Sequence, residues 1–224
     1  ETVHDTIKVL ERYVDLIVLR TFAQSHIEEV AEHASVPVIN ALTDDYHPCQ
    51  GLADLLTIKQ HKGALKGLKL AYVGDGNNMA HTYLYAGALT GMDVAIAGPA
   101  GYAPSAAVLA HAESLVAEYG TGATLTVTQD ASSAVAGADV VVTDTWASMG
   151  QEAEHAKRVA DFAGYSVDSA LMAKADPAAI FMHCLPAHRG EEVTDEVIDS
   201  AASVVFDEAE NRLHAQRAWM SLVL

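Results

Sequence analysis

The chain holds 224 residues, half of them hydrophobic, with 30 acidic side chains against 13 basic ones and a formal net charge of −17. That length and apolar content suffice for one large domain or two small ones, while the charge argues against a phosphate-rich nucleic acid as partner. No apolar run approaches the roughly 20 residues of a bilayer span and no charged-then-apolar leader opens the chain, so the expectation is a soluble cytoplasmic protein with no membrane partner.

Helical and strand patterns alternate from the start. Residues 3–13 have helical spacing and lead into the apolar run 15–20. Ser25 with Glu28 has the form of a capping box for a helix through residue 34. Residues 36–40 read as a strand, and a helix over 52–61 stops at Gly63. The cycle then restarts with strand 69–74, helix 78–90 ending at Gly91, strand 93–97, helix 105–119 and strand 124–128. Strands follow at 139–144, 179–184 and 204–207, before a closing helix from about Glu210. Strands apolar throughout, alternating with helices, imply parallel sheets covered on both faces. The expected fold is therefore α/β, with the region of Gly63 and Gly67 as the seam between two units.

The acidic residues scatter along helix faces, as at Glu28, Glu29 and Glu32, rather than forming a tail. They suit a solubilising surface or adaptation to high salt, where screening removes self-repulsion. Stability measured against salt concentration separates the two. The two cysteines, Cys49 and Cys184, form no disulfide framework.

In an open parallel sheet, ligands bind beyond the carboxyl ends of the strands. Here Arg20 ends the first strand and His47-Pro48-Cys49-Gln50 follows the second. Asp75-Gly76-Asn77-Asn78, Asp144 and His183-Cys184-Leu185-Pro186 end three more. Polar groups at so many strand ends point to one catalytic rim. Singly, each has a plainer explanation: Arg20 a surface ion pair, His47 a turn, Asn78 or Asp144 a cap. Gly74-Asp75-Gly76 fails as a dinucleotide loop because Met79 occupies the third glycine position. His183 and Cys184 are strand neighbours and face opposite ways, so they are not a nucleophile–base pair.

Taken together the segments resemble the aspartate/ornithine carbamoyltransferase family, and its ornithine branch in particular. They are HPCQ at 47–50, GDGNN at 74–78, DTWASMG at 144–150, HCLPAHRGEEV at 183–193 and FDEAENR at 206–212, in the family's order. The resemblance implies two Rossmann-like parallel-sheet α/β units, the first incomplete at its N-terminus. Residues 1–62 would be the C-terminal part of a carbamoyl-phosphate domain, 63–205 an ornithine domain, and 206–224 a closing helix returning to the first. It implies transfer of the carbamoyl group of carbamoyl phosphate to L-ornithine, with Arg20, His47, Cys184 and Arg212 as catalytic residues. Pro48, Cys49, Gln50 and Leu185 join these four around carbamoyl phosphate, Gln50 facing the carbamoyl amide. Asn78, Asp144, Ser148 and Met149 would hold ornithine, and Cys184 would lie beside the reacting amine as a positioning group. No metal or organic cofactor is implied, and a homotrimer or higher homo-oligomer is.

The family's Ser-Thr-Arg-Thr phosphate loop has no counterpart string in this sequence, so weak carbamoyl-phosphate binding and low turnover are expected of these residues alone. Rival readings are a sister enzyme using aspartate, putrescine or an acetylated ornithine, and a non-catalytic relative that binds the same ligands. A zinc site from His47, Cys49, His183 and Cys184 lacks the usual ligand spacing.

Overall fold

Two parallel sheets lie in sequence along the chain, each strand but the last in a sheet returning through a helix. The computed structural model describes residues 1–148 and 150–224; Met149, expected at the ornithine side, lies outside them. The first unit runs α1 (Val3–Leu10), β1 (Ile17–Arg20), α2 (Gln24–His33), β2 (Val38–Leu42) and α3 (Pro48–Lys62), with β1 and β2 paired in parallel. The second contains β3 (Lys69–Val73), α4 (Asn78–Thr90), β4 (Asp93–Ala97), α5 (Ala106–Tyr119), β5 (Leu125–Thr128) and α6 (Ala131–Val135). It continues with β6 (Val140–Thr143), α7 (His155–Asp161), α8 (Ser169–Met172), β7 (Ile180–His183) and α9 (Asp195–Ile198). The closing helix α10 (Val205–Val223) packs back along α3, where Asn211 Nδ2 donates to Thr57 Oγ1 at 2.8 Å and Gln216 Nε2 to the Cys49 carbonyl at 2.6 Å.

The larger sheet has the order β5-β4-β3-β6-β7, all parallel. Its strands are apolar throughout because both faces are covered. Along β3, Leu70 and Tyr72 join a core with Met79, Leu84 and Ile96 on one side. Ala71 and Val73 join Val141, Val167 and Phe181 on the other. The strand order reverses between β3 and β6, which makes a topological switch point and opens a crevice beyond their carboxyl ends. Gly76 sits in that crevice by necessity: a Cβ there would strike the Ala103–Pro104 backbone, and its own N–H donates to the Tyr102 carbonyl at 2.8 Å.

Three expected elements need correction. α2 begins at Gln24 with Ala23 at its N-cap and no side-chain cap, so Ser25 lies inside the first turn. Gln24 instead accepts from Thr43 Oγ1 at 2.7 Å, a tertiary bond that fixes the helix start earlier. α3 starts at Pro48, whose fixed φ suits a first turn, four residues before the expected start. Residues 204–207 are not a strand. An isolated bridge joins Phe181 to Ser203, and α10 begins at Val205. A short apolar run does not distinguish strand from helix, and here burial of Glu208 on the α10 face decides. Among the described residues no helix is long and apolar enough to cross a membrane.

Candidate active site

A cavity of about 910 Å³ opens between the carboxyl ends of the two sheets. Arg20, at the end of β1, and His47 and Gln50, at the start of α3, line one wall together with Arg212 from α10. Asn77 and Asn78 after β3, Asp144 and Ser148 after β6, and Cys184 and Leu185 after β7 line the other. Pro48 and Cys49 are not among the lining residues. The Cys49 thiol turns away and donates to the Asn40 carbonyl at 3.4 Å.

The first wall is held by a buried network. Arg212 Nη1 donates to Gln50 Oε1 at 2.6 Å. The amide nitrogen of Gln50 then donates to Asp54 Oδ1 at 2.8 Å and to Glu208 Oε1 at 2.9 Å. Burial pushes both carboxyls upward, and the neighbouring Asp54 adds to the rise at Glu208, which limits the negative charge stored behind Arg212. His47 is pushed down to about 3, chiefly by burial and also by Arg212 and Arg20. It is a neutral imidazole at ordinary pH, and its Nδ1 is buried with no hydrogen-bond partner in the structure. A neutral ring beside two guanidinium groups is suited to donating a hydrogen bond to a carbonyl, not to carrying a third positive charge.

The second wall is arranged by Asn77 rather than by Asn78. Asn77 Oδ1 caps α4 by accepting from the Met79 N–H at 2.9 Å, and its Nδ2 donates to Asp144 Oδ2 at 3.1 Å. The cap assignment considered for Asn78 therefore belongs one residue earlier. Asn78 Nδ2 donates to the Thr43 carbonyl at 3.0 Å and ties this wall to the smaller unit. Asp144 Oδ1 accepts from the Cys184 thiol at 3.1 Å. Burial, with Asp144 and Glu208 nearby, pushes Cys184 well above the usual thiol range, so it stays protonated. A protonated thiol donating to a carboxylate is no covalent nucleophile.

His183 lies fully buried behind Cys184. Its Nδ1 accepts from the Leu185 N–H at 2.9 Å, which assigns the other proton to Nε2, 3.1 Å from Glu192 Oε1. Leu185 adopts a left-handed φ of 56° to make this bond; such strain persists only where its surroundings impose it. Donor atoms of Asp144, His183 and Cys184 lie within 4.8 Å of one another, as do those of His188, Glu191 and Glu192. Both ring nitrogens of His183 are already committed, so the first group fits a metal poorly. Of the zinc set considered from sequence, Cys49 points away from the cavity.

Two family models match the chain. The model for the aspartate/ornithine carbamoyltransferase carbamoyl-P binding domain covers residues 1–60, and that for the Asp/Orn binding domain covers residues 66–223. The chain belongs to the aspartate/ornithine carbamoyltransferase family. The ornithine carbamoyltransferases of Rhodococcus jostii and Carboxydothermus hydrogenoformans are 56% and 57% identical to it, spanning all of this chain and 71% of each relative. The solved ornithine carbamoyltransferase of Pyrococcus furiosus is 53% identical with a TM-score of 0.95, again over all of this chain and 71% of the other. That of Thermus thermophilus is 42% identical with a TM-score of 0.87, over all of this chain and 72% of the other.

In this carbamoyltransferase several cavity residues carried no usable sequence signal. Arg158 of α7 donates to Asp75 Oδ2 at 2.6 Å and to the Trp146 carbonyl at 2.9 Å, both buried, and braces the loops after β3 and β6. Asp75 was visible as a strand-end carboxylate, but its partner sits on a seven-residue helix that periodicity does not reveal. Gln151, whose Oε1 accepts from the Ser148 N–H at 3.1 Å, was equally silent.

Proposed function

We propose that the chain transfers the carbamoyl group of carbamoyl phosphate to the side-chain amine of L-ornithine, giving L-citrulline and phosphate. The observation that carries this reading is one cavity with two chemically distinct walls at the switch point of a carbamoyltransferase fold. Arg20, Arg212 and neutral His47 suit the phosphate and carbonyl oxygens of carbamoyl phosphate. Gln50 offers a carbonyl acceptor for the N–H groups of the carbamoyl amide. Asp144 suits an α-ammonium group, and Asn78 and Ser148 suit the remainder of an amino acid. Met149 is assigned to the same side by its place in the motif alone.

The reaction follows from that placement. The side-chain ammonium of ornithine first loses a proton to solvent. Its nitrogen then attacks the carbonyl carbon, the C–N bond forms, and the carbonyl oxygen takes up negative charge. Donors aimed at that oxygen supply about 3–4 kcal/mol each, and holding both substrates in line supplies on the order of 7–11 kcal/mol. The C–O bond to phosphate breaks, the carbonyl reforms, and the excess proton on nitrogen leaves with the phosphate. Cys184 lies beside the attacking amine as a neutral thiol and, by donating to Asp144 Oδ1, fixes that carboxylate for the α-ammonium group. This division assigns residues 1–62 and the returning helix 206–224 to carbamoyl phosphate and 63–205 to ornithine.

Phosphate release from carbamoyl phosphate, measured with ornithine, aspartate, putrescine and N-acetylornithine in parallel, tests the reading. Ornithine is expected to be used at least 100-fold better, in kcat/KM, than any other, the scale of one buried charge-assisted pairing; equal use of a sister amine rejects it. The same reading expects a homo-oligomer, and a monomer by sedimentation equilibrium contradicts that part.

A further inference from the structure

We propose that Asp54 and Glu208 are positioning residues that hold the Gln50 amide in one orientation, carbonyl toward the cavity, and so make the enzyme select a carbamoyl donor over an acyl donor without an N–H. The proposal rests on the reading of Gln50 as the group that faces the carbamoyl amide.

A glutamine amide has two nearly isosteric orientations, and only its hydrogen-bond partners choose between them. Gln50 is 1% exposed, and both hydrogens of its amide nitrogen are taken, one by Asp54 Oδ1 at 2.8 Å and one by Glu208 Oε1 at 2.9 Å. Its oxygen is left for Arg212 Nη1 at 2.6 Å and for the cavity. Turned over, the amide would place its oxygen against two carboxyls and its nitrogen against a guanidinium. Each carboxyl is fixed in turn by an independent donor on its second oxygen. The Tyr83 hydroxyl donates to Asp54 Oδ2 at 2.8 Å, and the buried His183 N–H donates to Glu208 Oε2 at 2.9 Å. Asp54 and Glu208 come from α3 and α10, so the closing helix completes the orientation of a residue on the first unit.

This geometry makes isosteric substitution informative. In Glu208→Gln, the His183 N–H still demands an acceptor and draws the new side-chain oxygen to itself. The new amide nitrogen then faces Gln50. In Asp54→Asn, the orientation that keeps the Tyr83 hydroxyl donating as it does to Asp54 Oδ2 again turns a nitrogen toward Gln50. Either change favours the reversed amide, which offers the cavity an N–H where the carbamoyl amide needs an acceptor.

The experiment uses two unreactive mimics that differ at one group. Phosphonoacetamide carries the amide NH2, and acetonylphosphonate carries a methyl in its place. Calorimetric affinities of both for the full chain give a preference ratio that does not depend on how much protein is folded. The unsubstituted chain is expected to prefer phosphonoacetamide by roughly 10–100-fold, the scale of one buried unpaired polar group. The ratio is expected to fall to within about threefold of unity in Glu208→Gln, in Asp54→Asn and in Gln50→Ala. A ratio lost in Gln50→Ala but kept in both carboxyl variants overturns the positioning role and leaves the reading of Gln50 intact. A ratio kept in Gln50→Ala overturns both. If one carboxyl variant does not fold, the other decides by the same ratio; a purely structural role lowers melting temperature and leaves the ratio where it was.

Discussion

The two walls of the cavity solve opposite electrostatic problems. The wall built from β1, α3 and α10 must present positive charge and donors, and it does so with Arg20, Arg212 and a histidine kept neutral by burial and those same arginines. The wall built from the loops after β3, β6 and β7 must accept a cation, and it presents Asp144 with Asn77 and Cys184 as donors to its two oxygens. Charge in the first wall is backed by buried carboxyls reached through a neutral amide; charge in the second is held by neutral donors. The difference indicates that the acid-base state of the site is set by burial rather than by exposed ion pairs: His47 and Cys184 keep their charge over a broad pH range, while Asp54, pushed up to about 6 by burial, titrates behind Gln50.

Arg212→Ala strikes the first wall hardest. It removes a cationic donor and leaves Gln50 Oε1 without its 2.6 Å partner. We expect kcat/KM for carbamoyl phosphate to fall on the order of 10²–10³-fold, the usual cost of one oxyanion donor, in steady-state kinetics of citrulline formation. Asp144→Asn strikes the second wall and is expected to cost about 10–100-fold in kcat/KM for ornithine, while the affinity for phosphonoacetamide stays within about threefold. A variant that lowers both substrates equally would show that the walls do not act separately.

The smallest effect concerns pH. His47 is held at about 3 and Cys184 far above its usual range, so neither changes charge between pH 5 and 9. The side-chain ammonium of ornithine, with a pKa near that of lysine at about 10.4, is then the group whose proton loss governs the rate. kcat/KM for ornithine should rise between pH 6 and 9 with a slope approaching one. His47→Asn should lower the curve without changing its shape. A flat profile, or an inflection that disappears in His47→Asn, contradicts the assignment. Stability carries the complementary sign. A histidine whose folded pKa is depressed destabilises the fold as pH falls from about 6.5 toward about 3, since only the unfolded chain takes up the proton. His47→Asn should therefore lose less stability on acidification than the unsubstituted chain.

Much of the scaffold is legible in the residues. The helix from Asn78 to Thr90 and the strand from Asp93 to Ala97 have the expected bounds, because Gly91 ends the helix at a left-handed φ of 79° and the strand is apolar throughout. The rim was legible too: strand ends at Arg20, Asp144 and Cys184 meet at one cavity as the topology requires. What escaped depends on partners distant in sequence. Ser25 and Glu28 have capping-box spacing, yet Gln24 bonds to Thr43 and shifts the helix start. The apolar residues 204–206 look like a strand until Glu208 is seen to need a buried seat near Gln50, 158 residues away. Asn77, not Asn78, organises the second wall, a choice between neighbours that spacing does not make. Short helices such as α7 to α9 hold too few turns to show a period, so Arg158 gave no warning.

One molecule tests whether the two walls grip two substrates at once: a phosphonoacetyl group joined through an amide to the side-chain nitrogen of ornithine. If both walls are engaged, it should bind the full chain on the order of 10²–10⁴-fold more tightly than phosphonoacetamide alone, and lose affinity separately on Arg212→Ala and on Asp144→Asn. Binding no tighter than phosphonoacetamide, or unchanged by Asp144→Asn, would contradict the account.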